Sequence, residues 1–138
     1  MRYRKLISLV LCGLVVGILF YLLNAATLAL FGEEFLSVLE TAPAYPQFGG
    51  EFFFTVDLLM GVWVMWLYSA ISPRYGAKPA TAIIAGIAWW AIKSLQSAHW
   101  IGLGFLPFEG GFLLLAISLV SAASAVLAGA FLYDRVTA

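Results

Sequence analysis

Four stretches in which nearly every position is apolar alternate with short segments that hold most of the charges and all of the prolines. The apolar stretches run approximately over 6–30, 52–71, 80–103 and 111–133. Each is near the roughly 20 residues that a helix needs to cross a bilayer. The pattern predicts an all-α protein, a polytopic transmembrane four-helix bundle. No soluble domain fits between the spans, so 1–138 reads as a single transmembrane domain.

The connections sharpen this picture. The first, over 32–50, is the long one. Its 33–40 portion is patterned for a short amphipathic turn on the membrane surface, and Pro43, Pro46 and the Gly49-Gly50 pair then turn the chain back. In the second, over 72–79, Pro73 is placed to end the second helix and Pro79 suits the first turn of the third. So short a loop predicts that helices two and three are antiparallel neighbours. The third, over 104–110, is also short and carries Pro107 and Glu109.

Composition agrees. Of 138 residues, 64% are hydrophobic and 10% charged, against roughly 45–50% and 25% in a soluble domain. Such a chain could not cover itself with polar groups, so lipid must be its solvent. The formal net charge is zero, and no nucleic acid is expected as a partner. Cys12 is the single cysteine, which excludes a disulfide or a thiolate cluster within one chain. Arg2, Arg4 and Lys5 before an apolar run resemble a signal peptide. That run is longer than the roughly 7–15 residues of a signal core, and Leu11 before Cys12 does not suit lipoprotein processing. The segment reads as a retained helix.

Charge distribution sets an orientation. Arg2, Arg4, Lys5, Arg74, Lys78 and Arg135 fall on one side of the four-span arrangement, and Glu33, Glu34, Glu40, Glu51 and Glu109 on the other. Basic loops stay in the cytoplasm, which predicts N-in and C-in with the 72–79 loop cytoplasmic.

Two charges lie inside the apolar segments, where each costs about 2.5–3.5 kcal/mol at a helix centre. Helices two and three reverse around Gly76, so positions whose numbers sum to about 151 share a level. Asp57 is then level with residue 94, next to Lys93, roughly 22 Å from the cytoplasmic end of its helix. A salt bridge between them is expected. The same construction brings Glu51, Gln96 and His99 to one outer layer, with Ser97 on the same face of helix three as Lys93. Tyr21 and Asn24 of the first segment reach a similar height.

This layer admits two readings. In one it is a water-accessible pocket for a small solute or lipid, in a small transporter or a transporter subunit, with Asp57, Lys93, Gln96, His99, Glu51, Asn24 and Tyr21 as candidate ligand-binding residues. In the other, Asp57 and Lys93 form a structural ion pair in an accessory subunit that docks onto a partner. A lone His99 is a weak candidate for a metal or haem ligand unless a dimer supplies a second one. The sequence carries no P-loop, GxSxG, HExxH or CxxC pattern, so neither a cofactor nor an enzymatic activity is expected.

Trp63, Trp66, Trp89 and Trp90 fall near mid-membrane, where Trp63 and Trp89 are level and expected to pack together. Gly13 and Gly17 make a GxxxG pattern. Ser121, Ala125 and Gly129 recur every four residues, with Ser118 and Ala122 beside them. Such small-residue faces let helices approach closely, within the chain or against a homo-oligomer or partner membrane protein. Finally, Pro73-Arg74-Tyr75-Gly76, followed by Thr81-Ala82, Ala85-Gly86 and Trp89, resembles small uncharacterised bacterial four-helix membrane proteins. The resemblance covers about a fifth of the chain. It implies a bacterial inner-membrane location and no particular activity.

Overall fold

A computed structural model describes residues 2–40, 49–104 and 108–137. They form four helices: α1 (Arg2–Glu40), α2 (Gly50–Tyr75), α3 (Pro79–Gly102) and α4 (Phe108–Thr137). The turn residues Pro43, Pro46 and Pro107 lie outside the described residues.

The helix ends show local chemistry at work. α1 leaves helical dihedrals at Phe31 (φ −118°, ψ 17°), where its apolar run ends, and 32–40 continue as helix beyond this kink. Gly49, in extended backbone, precedes the first turn of α2. Pro73 does not end α2 as expected; the helix runs on to Tyr75. A proline there deprives only the Ser69 carbonyl of its amide partner, and the Ser72 hydroxyl donates to that oxygen at 3.3 Å. The stop comes at Gly76, whose positive φ of 84° suits glycine and whose N–H donates to the Ser72 carbonyl at 2.8 Å. Pro79 opens α3, and the buried Thr81 hydroxyl closes the turn onto the Gly76 carbonyl at 2.7 Å.

The helices pair differently from their order in sequence. α1 packs along α2, and α3 along α4, while α2 and α3 meet over a much smaller surface. The reason is where the small residues fall. A Cβ on Gly17 would lie 2.5 Å from the Leu58 Cα and 2.7 Å from the Asp57 carbonyl oxygen, and one on Gly61 would collide with the backbone of Gly13 and Gly17. Glycine therefore lets these two backbones nearly touch. On the other pair, Gly86 faces Ala122 and Ala123, and Gly111 lies under Ile101. Gly129 brings α4 onto Val16 of α1 and Met65 of α2. The small-residue stripes are thus consumed within the chain. α2 and α3, antiparallel through their short loop, have no comparable interface.

Three helices hold stretches long and apolar enough to span a membrane: Tyr3–Glu33, Gly50–Tyr75 and Gly111–Thr137. Four were expected. α3 has 24 residues, about 36 Å of helix, but Lys93, Ser94, Gln96, Ser97 and His99 crowd its second half and lower its hydropathy. It nonetheless runs beside α4 from Gly86 to Ile101.

The antiparallel arrangement gathers Arg4, Lys5, Arg74, Lys78 and Arg135 at one end, the basic end, and Glu33 and Glu51 at the other. Val16, Val64, Met65, Tyr68, Ala85 and Val126 form a sealed core in the middle and towards the basic end. Beyond Phe20, Asp57, Gly86 and Ala122 burial falls away, except at Gly111 under Ile101. The two helix pairs are closed at the basic end and parted at the acidic end.

Candidate functional site

The site lies where the helix pairs part. Asp57 is on α2, one position from the close Gly17–Leu58 approach, and is only 8% exposed. Its carboxylate accepts the Asn24 side-chain amide through both oxygens, at 3.3 and 3.4 Å. A carboxylate in hydrocarbon needs such donors, and α1 supplies one across its tightest interface. The expected direct ion pair with Lys93 does not form: among the described residues the carboxylate's only side-chain hydrogen-bond partner is Asn24. Lys93 instead faces Asp57 across a shared cavity, close enough for their charges to attract. The two side chains therefore border one cavity at a shared level without touching.

Two adjoining cavities occupy the gap. The smaller, about 20 Å³, is bounded by Phe20, Asn24, Asp57 and Met60 from the first pair and by Trp89, Trp90, Lys93 and Ser121 from the second. It has room for about one water. The larger, about 190 Å³, is lined by Asn24, Thr27, Lys93, Ser97, Leu114, Leu115, Ile117, Ser118 and Ser121, among others. Asn24, Lys93, Ser118 and Ser121 line both. The Thr27 and Ser118 hydroxyls donate to the carbonyls of Leu23 (2.8 Å) and Leu115 (2.9 Å). The Trp90 indole N–H donates to the same Leu115 carbonyl at 2.8 Å and so fixes α3 against α4 beside the cavity. The ammonium of Lys93 has no hydrogen-bond acceptor among the described residues.

Of the residues singled out in the sequence, the structure brings Asn24, Asp57 and Lys93 together. Gln96, His99 and Glu51 are exposed and line neither cavity; the His99 ring lies against Trp100. Tyr21 packs edge-on against Phe54 at 5.1 Å, away from Lys93. Trp63 stacks on Trp66 at 5.0 Å, both about half exposed, whereas Trp89 and Trp90 pack against the core. The expected Trp63–Trp89 contact is replaced because α2 and α3 diverge. Thr27 escaped the sequence reading, and Ser118 and Ser121 were read there as packing residues. A two-serine pattern inside an apolar run was the one available signal.

A second polar contact was also missed. The Tyr68 hydroxyl, in a fully buried side chain, donates to the Asp134 carboxylate at 2.6 Å, and Tyr133 stands edge-on beside it at 6.3 Å.

No family model matches the chain, and neither a curated protein nor a solved structure matches it. What stands is a four-helix arrangement with three apolar, membrane-length helices and no identified family. The class of protein defined here is a multi-pass helical membrane protein.

Proposed function

We propose that this is a four-span, N-in and C-in protein of a bacterial inner membrane that admits a small solute from the extracytoplasmic side into the cavity between its helix pairs, without enzymatic chemistry. The observation that carries the reading is Lys93. Its ammonium borders a cavity of about 190 Å³ with no hydrogen-bond acceptor from the described protein. A cation held in a membrane without an acceptor calls for water or a ligand beside it. The fourth span is supported by the length of α3 and its course beside α4, with the polar residues of α3 concentrated at the acidic end. The orientation is supported by the basic residues gathered at the other end.

The test is solvent access. Cysteines are placed at Thr27 and Ser97, both cavity-lining, in a Cys12→Ala background, and right-side-out vesicles are treated with an impermeant thiol reagent. Rapid labelling at both sites is expected. Protection at both would leave a dry cavity and would favour an accessory subunit docked onto a partner, with Asp57 and Lys93 in a structural role.

A further inference from the structure

We infer that the solute is a small organic monoanion, taken up together with one proton. This rests on the reading of the cavity as an open solute site. The larger cavity has one ionised lining residue, Lys93, while Asp57 borders only the smaller one behind it. The hydrogens of Thr27 and Ser118 are committed to backbone carbonyls. Lys93, on α3, is therefore the charged group that can hold an anionic head, with the Ser97 and Ser121 hydroxyls beside it.

Opposite it, Leu114, Leu115 and Ile117 offer an apolar wall. The volume is comparable to an engineered cavity of about 150 Å³ that takes benzene, so the ligand has roughly six to ten non-hydrogen atoms. A short-chain carboxylate fits; a phospholipid or long-chain fatty acid does not. A dianion would leave its second charge without a partner.

Charge balance supplies the proton. Asp57 and Lys93 together are neutral, so a monoanion alone would leave one uncompensated negative charge inside the membrane, at a cost of several kcal/mol. Protonating Asp57 restores neutrality. The carboxylic acid can still accept from Asn24 through its carbonyl oxygen, and the protonated group borders the smaller cavity. The groups around Asp57 leave it as the acceptor. α1 brings Asn24, α3 brings Lys93, and α4 brings Ser118 and Ser121. His99 lies outside both cavities. The balance is one anion and one proton bound, with no covalent change.

The experiment uses the full chain with Thr27→Cys as reporter, in the Cys12→Ala background, reconstituted in nanodiscs. The rate of thiol labelling is compared with and without butyrate, and with and without its uncharged analogue butyramide, at equal pH. Butyrate is expected to slow labelling and butyramide is not. The butyrate concentration for half-protection should rise about tenfold per pH unit between pH 6 and 8, the slope of one linked proton. Asp57→Asn should keep the protection and flatten its pH dependence. Lys93→Gln should abolish protection and Lys93→Arg should retain it.

Labelling that butyrate does not slow, or that butyramide slows equally, overturns the anion while leaving the open cavity standing. Protection without pH dependence in the unmutated site overturns the proton. No labelling at all overturns the cavity reading and this inference with it. The comparison of butyrate with butyramide needs no Asp57 or Lys93 variant to fold.

Discussion

The Tyr68 hydroxyl donates to the Asp134 carboxylate at 2.6 Å, tying α2 to α4 diagonally across the bundle towards its basic end. These two helices otherwise touch little, so this hydrogen bond, the Tyr68–Tyr133 edge contact and the Met65–Gly129 approach are what hold the diagonal. Tyr68→Phe removes the donor and leaves the carboxylate. We expect a loss of about 1–2 kcal/mol, on the scale of the strongest interhelical hydrogen bonds measured in membranes and of those to charged groups. Unfolding in mixed micelles measures it. In an Asp134→Leu background, which has no acceptor for the Tyr68 hydroxyl, the same change should cost clearly less, and equal losses in both backgrounds would mean that the bond contributes nothing.

Gly61 has backbone of α1 where a methyl would go, whereas nothing lies within 4 Å of a Cβ on Gly32. Gly61→Ala is expected to destabilise the bundle by about 1–3 kcal/mol, the usual cost of overpacking, and Gly32→Ala to change it by no more than about 0.5 kcal/mol. Thermal unfolding of the two variants side by side distinguishes them. Equal tolerance would show that α1 and α2 are further apart than described.

Because Asp57 contacts Asn24 and only faces Lys93, double-mutant cycles should rank the couplings. Asn24→Leu with Asp57→Leu should show a larger interaction energy than Asp57→Leu with Lys93→Met. The reverse ranking would restore the direct ion pair that the hairpin geometry suggests and would count against an open cavity.

Orientation makes a separate prediction. Tyr75, exposed beside the α2–α3 turn, should be cytoplasmic. A Tyr75→Cys reporter in a Cys12→Ala background should resist impermeant thiol reagents in intact cells and react once cells are opened. Labelling in intact cells would invert the arrangement and move the acidic end, with its cavity, to the cytoplasm.

Much of this was legible in the chain itself. The apolar runs gave four helices, since a backbone in lipid must satisfy its own hydrogen bonds. Helices α1, α2 and α4 run past the apolar stretches, and the extensions have local causes: the Ser72 hydroxyl rescues the carbonyl that Pro73 leaves open, and the kink at Phe31 lets helix continue past the apolar run. The common level of Asp57 and Lys93 followed from counting along a short hairpin.

What the count could not supply is which helix faces which. Chain order suggested that α2 and α3 pack; the glycines decided otherwise. Gly13, Gly17 and Gly61 bring α1 and α2 together, and Gly86 seats α3 on α4. Close backbone approach depends on small residues meeting across an interface, and a single sequence does not reveal which small residues meet. The sequence by itself determined an apolar bundle with a polar layer near one face. Only the tertiary structure decided that Asp57 bonds to Asn24, that Tyr68 bonds to Asp134, and that Lys93 is left facing a cavity, because each depends on the pairing of whole helix surfaces and on no spacing within one segment.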